Sequence, residues 1–242
     1  DFASQFWFPR ALLDPVAAAT LPSHCSGTFV QPDFEHPVSL DPATFPVVAR
    51  ARSARAVGEV ATLSGDVSIG QGNRRLRTDA VVVDRSVDRA SFDGAATLFE
   101  PGLAALGQKG SVDLGADRAR IDSAEFVLFG ADHTGHYRGG AARLDRSDGL
   151  LTLSRTQLTS CRPQHDTWMF SAKRVDVADG EIFATARHMR LELLGVPVFY
   201  SPYMRFPVSD ERVSGFLFPV LGYSDDDGID VRTLEQVAVI PI

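Results

Sequence analysis

Almost no lysine occurs in this 242-residue chain: Lys109 and Lys173 are the only two, and the rest of its 24 basic residues are arginine. That is a composition habit with no mechanism attached. Carboxylates outnumber bases at 31, giving a net charge of −7. Such a balance argues against a nucleic-acid partner, which needs a basic face against phosphate. Cysteine is scarce too. Cys25 and Cys161 stand far apart, readable as separate buried thiols in a reducing compartment or as bridge-forming residues in an exported chain. No run of about eighteen apolar residues occurs, so no transmembrane helix is expected. Asp1 to Arg10 lack the basic-then-apolar order of a signal peptide, so the chain is expected to be cytosolic or already processed after export.

What is present is globular in texture. Hydrophobic residues are 44% and charged residues 23%, enough for one large domain or two small ones and unlike a disordered chain. Residues 1–57 read as an irregular segment. Pro9, Pro15, Pro22, Pro32, Pro37, Pro42 and Pro46 exclude a long helix or a central strand there, and Pro15 limits the one helical turn that Ala11–Ala19 would make.

From Gly58 to residue 195 short apolar–polar alternations follow one another, such as Val67-Ser68-Ile69, Val81-Val82-Val83 and Leu151-Thr152-Leu153, with Gly, Asn and Asp between them. Period-two alternation bounded by turn residues is the strand signature, and no stretch holds a helical period for three turns. The fold class is all-β. The alternations also repeat. The small residues Ala80, Gly110, Ala141 and Ala172, each read as opening a strand, fall at intervals of 30, 31 and 31. Phe92, Ile121, Leu151 and Ile182 in the partner strands fall at 29, 30 and 31. Two interlocked series with one spacing mean stacked strand pairs that bury a shared core only when stacked. The expectation is two facing sheets whose inner faces carry Val, Ile, Leu and Phe. Alanines among them (Ala80, Ala95, Ala96, Ala124, Ala141, Ala172) leave room for an open trough.

Residues 196–242 change texture again. Pro197, Pro202, Pro207 and Pro219 fall among Phe199, Tyr200, Tyr203, Phe206, Phe216 and Phe218. Prolines cannot donate to a ladder and are expected to end the repeat here, while aromatic residues at this density suit an apolar–water boundary. The pattern stops midway, as a fragment of something longer would.

The stretch GEVATLSGDVSIGQGNRRLRTDAVVVD resembles the opening of an OstA-type repeat, the module of the lipopolysaccharide-transport family. The later stretch, from Cys161 and Trp168 through LGVPVFYSPYMRFPVSDERVSGFLFPVLGYS, resembles the outer-membrane, LptD-type members of that family. Together they cover about Gly58 to Ser224. The resemblance implies a periplasmic, V-shaped β-jellyroll open along one side, followed by the start of an outer-membrane β-barrel. It implies a lipopolysaccharide cargo, a periplasmic bridge protein of the same fold joined by edge strands, and a lipoprotein that plugs the barrel. Cys25 and Cys161 match two family cysteines bridged to partners late in the barrel. Those partners are absent here, so the two are either free or joined to each other. The final VRTLEQVAVIPI departs from the Tyr-rich entry usual in the family.

Alternation and resemblance together select groove candidates. The early rungs supply Val67, Ile69, Leu76, Val81, Val83, Phe92 and Leu98; the middle ones Val112, Leu114, Ile121, Phe126 and Leu128; the last Leu151, Leu153, Phe170, Val175 and Ile182. Pro197, Pro202, Pro207 and Pro219 are the expected gate between groove and barrel. No cofactor, metal or catalytic residue is expected. His133 and His136 lack further ligands at matching spacing. Cys161 near His165 lacks an oxyanion feature. Asp225-Asp226-Asp227-Gly228 lacks the alternate ligands of a calcium loop, and Gly70-Gln71-Gly72 reads as a hairpin turn. Two rivals remain in view: a β-helical polysaccharide-modifying enzyme of the envelope, and a soluble carrier of the same fold. Aligned repeats place Asp84, Leu114, Asp145 and Val177 at one level, which is no acid–base cluster. The aromatic run after Leu194 argues against the free carrier.

Overall fold

The computed structural model of the chain describes residues 1–21, 26–35, 44–113, 116, 118–129, 137–178, 183–207, 220–224 and 228–232. Leu114, Ile182, Cys25, Pro219, His133, His136 and Asp225–Asp227 therefore lie outside the described residues.

The prolines of the first thirty residues permit more order than their number suggests. A 3-10 turn, Phe2–Phe6, leads into β1 (Trp7–Pro9), which pairs with β2 (Gly27–Phe29). A short helix, Pro15–Thr20, starts at its proline because the first helical residue needs no N–H. Asp14 caps it by accepting from the Val16 amide at 2.9 Å.

One antiparallel sheet of twelve strands then makes up the body. Its strands are β3 (Val48–Arg50), β4 (Ser53–Val57), β5 (Val60–Gln71), β6 (Arg74–Asp84), β7 (Arg89–Glu100), β8 (Leu103–Asp113), β9 (Arg118–Leu128), β10 (Tyr137–Ser147), β11 (Leu150–Thr159), β12 (Trp168–Ala178), β13 (Phe183–Leu193) and β14 (Val196–Pro207). From β5 to β14 each strand pairs with its neighbours in sequence, and β3 and β4 share the far side of β5. A separate hairpin joins β15 (Val220–Ser224) to β16 (Gly228–Arg232).

Two-residue turns set the register. Gly58-Glu59, Gly72-Asn73, Pro101-Gly102, Asp148-Gly149 and Leu194-Gly195 each link residues paired across the hairpin. Every one carries a positive φ, the geometry that matches strand twist. Gly70 and Gln71 belong to β5, so the turn expected at Gly70–Gly72 lies at Gly72-Asn73. Charges placed directly opposite reinforce the register: Arg89 on Asp113 (2.6 Å), Arg120 on Asp145 (3.0 Å) and Arg143 on Asp122 (2.9 Å). These exposed pairs contribute specificity of alignment more than stability.

The two facing sheets expected from the sequence are one sheet folded over itself. Midway along every second strand a residue takes a positive φ: Asp66, Gly94, Ser123, Arg155 and His188. There the inward parity switches. In β12, Phe170 and Ala172 are buried, Lys173 and Arg174 both face out, and Val175 is buried again. The same break falls in all strands from β5 to β13, so a crease crosses the sheet and the two arms close on one apolar cluster. The small residues of the 30-residue series are therefore mid-strand residues rather than strand openers. Gly110 shows why: a Cβ there would strike the ring of Phe92, its cross-strand partner, and the Arg120 carbonyl on the other neighbouring strand, so only a small residue fits beside the crease.

A second core forms on the outside of the sheet. Phe2, Phe6 and Phe29 pack with Phe129 over the outward-facing Ala104 and Val127, both fully buried. Phe6 meets Phe129 edge-on at 5.6 Å, and Gln31 accepts from the Gly102 amide at 2.9 Å.

Candidate functional site

The space between the two arms is the candidate site, and the crease determines its chemistry. Because parity resets at the crease, apolar residues from both halves of each strand face inward. Val67, Val81, Phe92, Ile121, Phe126 and Val175 lie deepest, each no more than 3% exposed. Ile69, Leu76, Leu153 and Phe170 are buried beside them. Toward the arm tips Val83, Leu98, Leu128, Leu151 and Val177 are only half-buried and pack against this floor. Val112 is half-buried outside the cluster. The lining is thus graded, buried at the crease and half-buried toward the tips.

The inner face is continuous across the strands. It begins at Leu63 on β5 and ends at Met204 and Phe206 on β14, where the Phe206 ring meets Phe170 edge-on at 5.6 Å. Charges on this face, among the described residues, come only at the tips: the Arg74–Glu100 pair at 3.3 Å, and Arg146. Thr156 is, among the described residues, the one polar residue deep in the fold's interior row, and its hydroxyl donates to the Gly140 carbonyl at 2.9 Å. Thr152, on the outer side, donates to Asp176 at 2.7 Å. Burial pushes the Asp176 carboxyl up, but the bonds from Arg174 and Thr152 outweigh it and hold the group below the usual carboxylate range. A surface whose charges, among the described residues, stand only at its tips can shield apolar chains.

Sequence alternation missed much of this lining. Leu103, Ala105, Leu144, Ala184, Ala186 and Met189 belong to the same cluster, with Leu158 and Trp168 packed on it. The signal was the parity switch itself, visible only where two successive polar residues interrupt an alternation, as in Lys173-Arg174 and Arg187-His188.

The prolines do not end the repeat at Leu194. β14 carries Pro197, Pro202 and Pro207 and still pairs along β13. An edge strand tolerates them because half of its amides need no partner. Pro197 sits opposite Glu192 at a register shift, and Pro202 falls between the pairs Arg187–Tyr203 and Met189–Ser201, on the crease. On β14 Val198, Phe199, Tyr200 and Tyr203 are about half exposed, Phe199 on the face of Leu191 and Phe170 and Tyr200 on that of Arg190. Cys161 is half-buried just past β11, with its amide donating to Thr159.

A folded antiparallel meander, apolar inside and polar outside, is a β-jellyroll. Over nine-tenths of its length the chain is homologous to proteins of lipopolysaccharide assembly named LptD. It is 32% identical over 220 residues to LPS-assembly protein LptD of Saccharophagus degradans, covering 90% of this chain and 25% of that protein. The same-named protein of Chromohalobacter salexigens is 37% identical over 210 residues, covering 85% and 24%. That of Pseudomonas savastanoi is 29% identical over 237 residues, covering 96% and 25%. The chain thus spans about a quarter of the length of these curated relatives. No family model matches it. Among solved structures, LptH, the LptA-homologous periplasmic component of lipopolysaccharide transport in Pseudomonas aeruginosa, aligns with 42% of this chain and 76% of its own. The identity is 18% and the TM-score 0.36.

Proposed function

We propose that the cleft carries the acyl chains of lipopolysaccharide through the periplasm toward the outer membrane. The observation that supports this most is the graded apolar lining, unbroken from β5 to β14 and only half-buried at the arm tips. Moving one fourteen-carbon chain into water costs on the order of 10 kcal/mol, so a multi-chain lipid cannot cross an aqueous space unshielded. Successive rungs of similar chemistry let it advance without a deep trap at any point.

The remaining parts follow from this reading. A periplasmic bridge protein of the same fold pairs with the exposed edge formed by β3 and β4, extending the cleft from one protein to the next. At the other edge β14 leads toward an outer-membrane barrel that the residues after 207 begin, and Pro197, Pro202, Pro207 and Pro219 shape the gap through which lipid leaves. A lipoprotein plugs that barrel. Cys25 and Cys161 serve as bridging cysteines.

Site-specific photocrosslinking in cells making lipopolysaccharide tests the cleft. A photoreactive residue at Leu98, Leu128, Leu151 or Val177 should give lipid adducts, whereas one at the outward neighbours Arg77, Glu125 or Gln157 should give none. Adducts on neither set, in an exported and folded protein, would leave a closed sandwich core and end the transport reading.

A further inference from the structure

The outer face along the crease is divided by charge. Strands β5, β6, β7 and β9 present Asp66, Asp79, Asp93 and Asp122 there, while β10 to β13 present Arg143, Arg155, Lys173, Arg174 and Arg187. On the acidic side the carboxylates are met by bases: Arg52 on Asp66, Lys109 on Asp93 and Arg143 on Asp122. On the basic side Arg174 is held by Asp176, but Arg155, Lys173 and Arg190 have no carboxylate partner among the described residues.

Register crowds these cations together. The pairs Ser154–Arg174 and Thr156–Ala172 flank Arg155, setting it opposite Lys173. The pairs Ser171–Arg190 and Arg174–Arg187 likewise set Lys173 opposite His188. Arg174 faces Arg187 directly across the ladder. Strands lie about 4.8 Å apart, and like charges opposed at that spacing repel. In a chain of net charge −7 this crowding is local and contrary to the whole.

Between the crease row and the next outward row lies a trough of about 640 Å³. Small residues (Ser123, Gly140, Ala142, Ser171) keep its floor low, and Arg155, Lys173 and Arg190 stand around it. Tyr200 closes one end, its hydroxyl 2.9 Å from His188 Nδ1. Three exposed cations and the hydroxyls of Ser123 and Ser171 around a cavity of this size are, among the described residues, donors without an acceptor. We propose that this trough binds a phosphate-bearing anion, with Arg155, Lys173 and Arg190 neutralising its charge and Ser171 and Tyr200 donating to its oxygens. The site is on the opposite face of the sheet from the apolar cleft and does not depend on what the cleft carries.

The same phosphate chemistry comes from soluble compounds or from a lipid headgroup, and two arms separate them. In the first, the whole chain is titrated calorimetrically with pyrophosphate. In the second, it is sedimented with phosphatidylglycerol vesicles against phosphatidylcholine vesicles. Each arm compares the parent with Arg155→Gln/Lys173→Gln, with Arg190→Gln, and with Lys109→Gln as a cation elsewhere on the surface. All substituted side chains are exposed, and unchanged thermal melting confirms folding. Pyrophosphate binding weakened at least ten-fold by the double variant, and unchanged by Lys109→Gln, supports the site and assigns soluble phosphate compounds. Retention on anionic vesicles alone, with the same variant pattern, supports it and assigns a headgroup. Binding in neither arm, or an equal loss in Lys109→Gln, overturns it.

Discussion

Asp176 concentrates the residue-scale physics of the sheet. Its two oxygens share the single Arg174 Nε–H, at 2.7 and 2.8 Å, and one of them also accepts from Thr152, so it is satisfied despite partial burial. Its folded pKa lies below the unfolded value of about 3.9. The stability it contributes is therefore present above that value and lost as pH falls through the folded one. Asp113, held down by the hydrogen bond from Arg89, works in the same direction and window. Thermal melting should fall as pH drops from about 5 to about 2, and Asp176→Asn should flatten part of that fall. Parallel profiles for parent and variant would remove Asp176 from the account.

At the scale of elements the outer aromatic cap makes a separable prediction. Phe6 touches Phe2, Phe99 and Phe129 and covers Val127 and Ala104. Phe6→Ala should cost about 3–5 kcal/mol locally, and hydrogen exchange should quicken in β8 and β9 while β12 and β13 stay protected. Uniform acceleration through the sheet would mean that cap and sheet unfold as one unit. The cap was hidden in the sequence because its aromatic residues lie among prolines, at no period, and find their partners some hundred residues later. The sheet was legible: period-two alternation gave strands, and the 30-residue spacing gave stacked pairs. Of the candidate cleft, ten named positions fall in the buried cluster and four more pack against it. What alternation could not reveal was strand length. Ala172 reads as the opening of a strand, but in β12 the ladder runs on from Trp168 through Lys173-Arg174 with its faces exchanged, beside the left-handed Arg155 and His188 of the neighbouring strands. The same blindness made Pro197, Pro202 and Pro207 look like terminators, although an edge strand and a crease both relieve them of donating.

For the molecule as a whole, β5 to β14 are joined in strict sequence order, each strand bonded to the one before and the one after. Among its described strands, such a body has no pairing between distant hairpins. Pulled between its ends in an optical trap, it should open like a zip fastener from one edge, a hairpin at a time. Each hairpin of about thirty residues would release about 100 Å of chain, giving a staircase of similar steps where a globular domain would snap once. A single large rupture would show instead that the closure of the arms couples all rungs. The staircase would make the sheet a ruler whose length is counted in hairpins, able to give way at one end while the rest keeps its shape.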